Sequence, residues 1–372
     1  MSARKYWLGF SAVSGVGPVR VRALLQHFGD LERAWHASPE ELRTVGLDRR
    51  AIANVLRARQ TQDLDALETQ LDALGASALT LQDADYPSLL KELPDAPPVL
   101  YVKGTLQARD RWAVAFVGTR RATVYGREMT RRLVEPLVGA GVTIVSGLAL
   151  GIDATAHRAA LEAGGRTVAV LGCGIDRVYP PEHRKLAAAI TQHGALVTEF
   201  PPGTPPEAKN FPVRNRIISG MSLGVAVIEA PKRSGALLTA NVAADQGREV
   251  FAVPGNVTSA SSMGTNLLLQ SGATLILNTQ DILDALQLDY TAVETRTQVQ
   301  ALIPDDPIEA QLVALLGDEP IHIDELYRQS DLSFAQVSST LAMMELKGLV
   351  QRHEGMYYTL AHGGGGDRYR LG

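Results

Sequence analysis

Seven short apolar runs, WAVAFVG, VTIVSG, TVAVLG, ALVTEF, GVAVIEA, EVFAVPG and ATLIL, succeed one another between residues 112 and 277. Each has the length of a β-strand, and amphipathic stretches such as REMTRRLVEPLVGAG and HRAALEAGG separate them. Strands alternating with helices call for a parallel sheet, because a parallel pair needs a long crossover between its members. The runs are apolar on both faces, so helices must cover the sheet above and below. The expected fold is α/β: a doubly wound, extended Rossmann-like, mostly parallel sheet of about seven strands, with its binding groups at the carboxyl ends of those strands.

At 372 residues, 45% hydrophobic and 20% charged, the chain can build more than one core. Residues 1–65 read as short helices with glycine turns. In SAVSGVGPVRVRALLQHFG, Gly15 and Gly17 allow positive φ before Pro18 starts a helix, the pattern of a helix-hairpin-helix or SAM-like domain, and a weaker copy lies at LRTVGLDRRAIANVL. Such a hairpin either offers backbone N–H groups and Arg20 and Arg22 to the phosphates of duplex DNA, or is a tight corner that touches nothing. The sheet occupies residues 66–290, a polar linker 291–304, and a winged helix of three helices and a hairpin 305–362. The glycine-rich tail, 363–372, is expected to be disordered.

Charge is unevenly spread behind the net −4. Residues 1–60 carry ten Lys/Arg against five Asp/Glu, and residues 101–133 eight against two, whereas residues 303–362 carry three against ten. The front and middle can attract a polyanion that the rear repels, so the winged helix is expected to contact protein. A single cysteine, Cys173, excludes a disulfide framework and any multi-thiolate metal site. No apolar run is long enough to span a membrane and the start has no signal-peptide core, which reads as a cytoplasmic protein.

The strand ends share one chemistry: GTRR (Gly118, Thr119, Arg120, Arg121), SG (Ser146, Gly147), GCG (Gly172, Gly174) and KRSGALLT (Ser234, Gly235, Thr239). Small residues let the backbone approach a ligand, and N–H groups at helix starts favour anions. KNFPVRNRIISG adds Lys209, Phe211, Arg214, Asn215 and Arg216, a mixture of charge for phosphates and an aromatic face for an unstacked base. The alternative is a packed Phe211, with Arg216 paired to Glu229 or Glu199. There is no GxxxxGK[ST] and no GxGxxG at the first strand, so neither P-loop hydrolysis nor a conventional dinucleotide site is supported, and no cofactor or metal is expected. Asp153 and His157, one helical turn apart, fit an acid/base pair less well than a cap and a packed ring, and Cys173 reads as a small residue in a turn.

The ordered set VGTRRATVYG, SGLALGIDATAH, TVAVLGCGIDRVYP, FPVRNRIISG, VIEAPKRSGALLTA, GREVFAVPGN and GTNLLLQSGA resembles the DNA-processing protein A family (DprA, also called Smf) across residues 83–280. The resemblance implies a single-stranded DNA-binding protein that protects incoming strands without sequence preference and loads the RecA recombinase in natural transformation. It implies a mediator, not an enzyme. It assigns strand contact to Arg120, Lys209 and Phe211, with Arg121 either a structural neighbour or a contact to the next phosphate. It implies a homodimer formed around Asn266, Leu267, Leu268 and Leu275, some of which could equally be buried within one subunit. A second likeness, to lysine-decarboxylase-related hydrolases that cleave nucleoside monophosphates, lacks that group's glutamate after GT.

Overall fold

The computed structural model describes residues 4–288, 307–316, 320–330, 332–346, 350–353 and 355–360. Contacts divide the chain into two units, one ending at Gln287 and one beginning at Leu288. The expected linker, 291–304, and tail, 363–372, lie outside the described residues.

All seven apolar runs are strands: β3 (Ala113–Val117), β4 (Thr143–Ser146), β5 (Thr167–Val170), β6 (Gly194–Thr198), β7 (Gly224–Val227), β8 (Glu249–Ala252) and β9 (Thr274–Leu275). They are parallel throughout, in the order β6-β5-β4-β3-β7-β8-β9. Two strands beyond the seven, β1 (Ser77–Thr80) and β2 (Val99–Gly104), extend the sheet antiparallel beside β6. β1 mixes polar with apolar positions, whereas β2, VLYVKG, is an apolar run of the same kind lying ahead of the series that alternates with helices.

Alternate side chains of one strand enter opposite layers, which is how a both-faces-apolar run is satisfied. In β5, Ala169 packs in a layer with Ala154 of α9 (Ile152–Glu162) and Ala187 of α10 (Arg184–His193). Val168 and Val170 point the other way, towards Ile217 of α11 (Asn210–Gly220) and Ala240 of α12 (Gly235–Asp245). Helix α8 (Val124–Gly139) lies beside α9 and follows β3 directly.

Six helices precede the sheet: α1 (Arg4–Ser11), α2 (Pro18–Phe28), α3 (Leu31–His36), α4 (Pro39–Thr44), α5 (Arg49–Thr61) and α6 (Leu64–Ala73). Their core, with Phe10 edge-on to Trp35 at 5.0 Å, is continuous with Val99, Tyr101 and Leu196 of the sheet. A boundary at residue 65 therefore cuts across shared packing; the Arg22 guanidinium donates to Leu93 O at 2.5 Å across it.

The second unit holds helices Pro307–Leu315, Ile323–Gln329 and Phe334–Leu346 and a three-stranded sheet in the order β10 (Ile321–His322), β12 (Tyr357–Leu360), β11 (Val350–His353). Leu312, Leu326, Val337, Leu341 and Met344 fill its core, as a winged helix requires. Among the described residues no helix is long and apolar enough to cross a membrane.

Candidate functional site

The strand order reverses between β3 and β7. Chain connections run away on either side of this pair, so the loops beyond their carboxyl ends part and leave a crevice. Here it is a cleft of about 630 Å³.

One wall is the loop after β3. Gly118 has no room for a side chain, since a β-carbon would sit 2.5 Å from Ile152 Cγ1 and 2.9 Å from Glu229 O. Thr119 N–H donates to Glu229 O at 2.7 Å, and the buried Glu229 carboxylate accepts Thr123 N–H at 2.9 Å, stitching this loop to the one after β7. With the backbone so tied, Arg120 and Arg121 project into solvent. Neither has an ion-pair partner among the described residues.

The opposite wall begins at α12, whose first turn is capped by Ser234, accepting Ala236 N–H at 3.3 Å. Ser234, Gly235 and the nearly buried Thr239 line the cleft, as does the exposed Arg233. The floor is α11. Phe211 lies against Gly172, 5.6 Å from the Tyr179 ring, with the guanidinium carbons of Arg120 and Arg214 at 5.8 and 5.9 Å from its centroid. Asn215 also lines the cleft.

Arg214 lies beneath this surface. It is 4% exposed and donates to Val170 O at 2.6 Å. Gly147 is the cradle that makes room for it: a β-carbon there would fall inside the guanidinium. Burial pulls its pKa down to about 10 against the opposing pull of Asp153. Asp153 in turn accepts Gly147 N–H at 3.1 Å and Ala149 N–H at 3.3 Å, and burial raises its pKa while Arg214 lowers it. Arg214 and Asp153 therefore hold the loop after β4.

Several expected residues are placed elsewhere. Arg216 turns away from the cleft and is paired with Glu199 and Asp95, its carbonyl taken by Gln246, so it is a structural ion pair. Ser146 is buried and donates to Phe116 O at 2.6 Å; Gly172 is covered by Phe211, and Gly174 is a turn donating to Thr204 O. Lys209 is exposed beside the cleft and pairs with Glu207 at 2.6 Å, a surface contact of little strength. In the N-terminal hairpin Gly15 has φ +89°, but Gly17 is extended at φ −86°. Arg20 is held by Gly15 O and Asp48, and Arg22 by Leu93 O, so these two guanidinium groups are committed internally.

At the far edge of the sheet, Asn266 braces Gly255 through both its N–H and C=O, and Leu268 packs inward. Leu267 and Leu275 are exposed, together with Met263 and Leu277. His157 is fully buried, its Nδ1 2.6 Å from Thr167 Oγ1, and burial with the nearby His183 pulls its pKa down to about 3. Burial pushes the Cys173 thiol up to about 11, so it is no thiolate. Residue-by-residue reading missed Tyr179 and Arg233; both stand in quoted strand-end motifs, RVYP and APKRSG, and an exposed aromatic or arginine there was the available signal.

A doubly wound sheet whose switch-point cleft carries unpaired arginines over an aromatic floor defines a Rossmann-like protein of the anion-binding kind. The comparisons make this specific. Residues 77–287 match the model of the DNA recombination-mediator protein A family, and residues 296–356 that of the DprA winged helix domain. Protein Smf of Synechocystis is 38% identical over 96% of this chain and 98% of its own length. The DNA processing protein DprA of Bacillus subtilis is 42% identical over 57% of this chain and 72% of its own. The X-ray structure of DprA from Streptococcus pneumoniae superposes with a TM-score of 0.67 at 32% identity, covering 76% of this chain and 96% of that one. The Helicobacter pylori protein, described for its single-stranded DNA binding mode, gives 0.52 at 32% identity over 57% and 95%. The chain belongs to the DNA recombination-mediator protein A (DprA/Smf) family.

Proposed function

We propose that the cleft binds single-stranded DNA without sequence preference and that the chain, as a cytoplasmic homodimer, protects incoming strands and loads RecA onto them. The observation that carries this reading is the pairing of Arg120 with Phe211. A phosphodiester needs the cation and an unstacked base needs the ring, whereas a mononucleotide enzyme would need a free catalytic group. Asp153, the carboxylate that lines the cleft, is occupied by two backbone N–H groups and sits beside Arg214. That argues against the hydrolase alternative. Sequence independence rests on the ring of Phe211, since every base offers a face to stack on it.

Recombinase loading rests on the family's designation as recombination mediators. Dimerisation rests on the exposed Leu267 and Leu275 at the last strand edge; a Leu275→Arg chain should sediment as a monomer where the native one sediments as a dimer.

The test of the cleft is a salt titration of oligo-dT binding with Arg120→Glu. The native slope of log K against log salt should be about −0.7 per neutralised phosphate, and the variant should lose affinity and one or two such contacts. Unchanged affinity and slope would overturn the cleft as the site. RecA-dependent ATP hydrolysis on a strand coated with single-strand-binding protein should start later with Arg120→Glu than with the native chain; equal lags would remove the loading role.

A further inference from the structure

The hairpin expected to meet DNA has its own arginines tied down, yet its neighbour does not. Residues 43–60 carry five arginines and one acid, Asp48. Arg59 donates to Ala34 O. The other four, Arg43, Arg49, Arg50 and Arg57, are exposed, and their guanidinium groups make no hydrogen bond or ion pair among the described residues. Three of them stand on α5. Its inner face is Ala51, Ile52, Val55 and Ala58; its outer face carries Arg50, Ala53, Arg57 and Gln60. Arg50 and Arg57 are two turns apart, about 10 Å, on one stripe with small Ala53 between them.

Most acids of this region are engaged within it, with Glu40, Glu68 and Asp72 the exceptions. Asp30, Asp48 and Asp63 cap helices, Glu41 closes a capping box, Asp65 pairs with Lys5, and Glu32 accepts the Tyr6 hydroxyl. The two hairpin turns are also locked together. Asn54 Nδ2 donates to Ser14 O at 2.8 Å, and Arg20 bridges Gly15 O to Asp48. The arginine face is therefore carried on a rigid support.

We propose that the outer face of α5, through Arg49, Arg50 and Arg57, is a second nucleic-acid surface that takes the sugar-phosphate backbone of duplex DNA. Charge complementarity supplies the attraction. What selects duplex over single strand is the absence of a stacking platform. Helix α5 itself carries no aromatic residue, Tyr6, Trp7, Phe10 and Trp35 are buried, and the half-buried Phe28 and the exposed His27 and His36 belong to α2 and α3. Unstacked bases have no ring to lie on along α5, while a backbone whose bases are already stacked asks only for cations. The surface is chemically the complement of the cleft, which has both cations and rings.

The test is anisotropy of the full chain with a labelled mixed-sequence blunt duplex and, separately, with oligo-dT at low salt. The variants are Arg49→Glu/Arg50→Glu/Arg57→Glu, the corresponding triple glutamine, and Arg120→Glu. The triple glutamate should weaken duplex binding by at least about ten-fold and flatten its salt slope by about 0.9 per lost contact. It should leave oligo-dT affinity within about two-fold, since the cleft is intact. The glutamine triple should fall between, with an unchanged unfolding midpoint. Duplex affinity unmoved by either triple, or lost equally for duplex and oligo-dT, would overturn the surface; so would duplex binding that disappears only with Arg120→Glu. A failure of the cleft reading would instead appear as oligo-dT binding indifferent to Arg120→Glu, a separate result.

Discussion

The sheet cleft and the C-terminal unit are both built on folds that commonly meet nucleic acid, but their surfaces disagree. At the cleft, Arg120, Arg121 and Arg233 stand in solvent over Phe211. The helix that a DNA-reading winged helix would insert, Phe334–Leu346, has the sequence FAQVSSTLAMMEL, with no basic residue and with Phe334 and Met343 exposed. Geometry brings a surface to the right place; charge decides which partner can stay there. On that ground we propose the cleft as the DNA site and the winged helix as a protein site.

The contrast goes deeper than the surface, because the cleft rests on buried charge. Arg214→Met should cost about 1–3 kcal/mol of stability in urea unfolding, by leaving Val170 O without its donor and Asp153 without a nearby cation. A loss under about 1 kcal/mol would mean that the cleft is not built around this pair. Phe211→Ala should weaken oligo-dT binding by about 1–3 kcal/mol while leaving the salt slope alone, since a ring neutralises no phosphate. A flattened slope would mean that the ring acts by placing Arg120.

His157 sets a pH limit on the same region. Its folded pKa, about 3, lies below the ordinary value of 6.5, so between these the unfolded chain binds a proton that the folded chain refuses. Stability should fall as pH drops through this window. From pH ~7.5 to ~5.5 the loss should be about 1.4 kcal/mol in the native chain and absent from a His157→Asn chain, compared by chemical unfolding. The smallest effect belongs to the other unit. If the winged helix contacts protein and not the strand, Asp324→Lys with Glu345→Lys should shift oligo-dT affinity by less than about 0.4 kcal/mol, because charges that do not touch the strand are screened. A larger gain would bring the winged helix to the DNA and dissolve the contrast.

The parallel strands were legible because a strand covered on both faces has no polar position to blur it; β1, four residues at the sheet edge with polar positions, was not, and β2 stands outside the series that alternates with helices. In the cleft, Gly118 to Arg121 could be read directly, since a strand end in this fold has one place to go. The cluster on α11 was read too generously. Phe211, Arg214 and Asn215 follow helical spacing and share a side, whereas Arg216 is rotated off it towards Glu199. Depth was invisible in any case: nothing in RNR says that Arg214 is under the floor, because that depends on Gly147, far away in sequence. Tyr179 sits in a loop without periodicity, and only folding brings it beside Phe211.

The reversal of strand order has a consequence for synthesis. β3 and β7, paired from Val114 with Gly224 to Val117 with Val227, flank the cleft, yet helices α8 to α11 and three other strands are made between them. A growing chain exposes its arginine loop early but has no second wall until β7 and the start of α12 have left the ribosome. If the cleft is the single-strand site, capture of a strand there waits for both walls, and a product cut short before α12 would lack the cleft altogether.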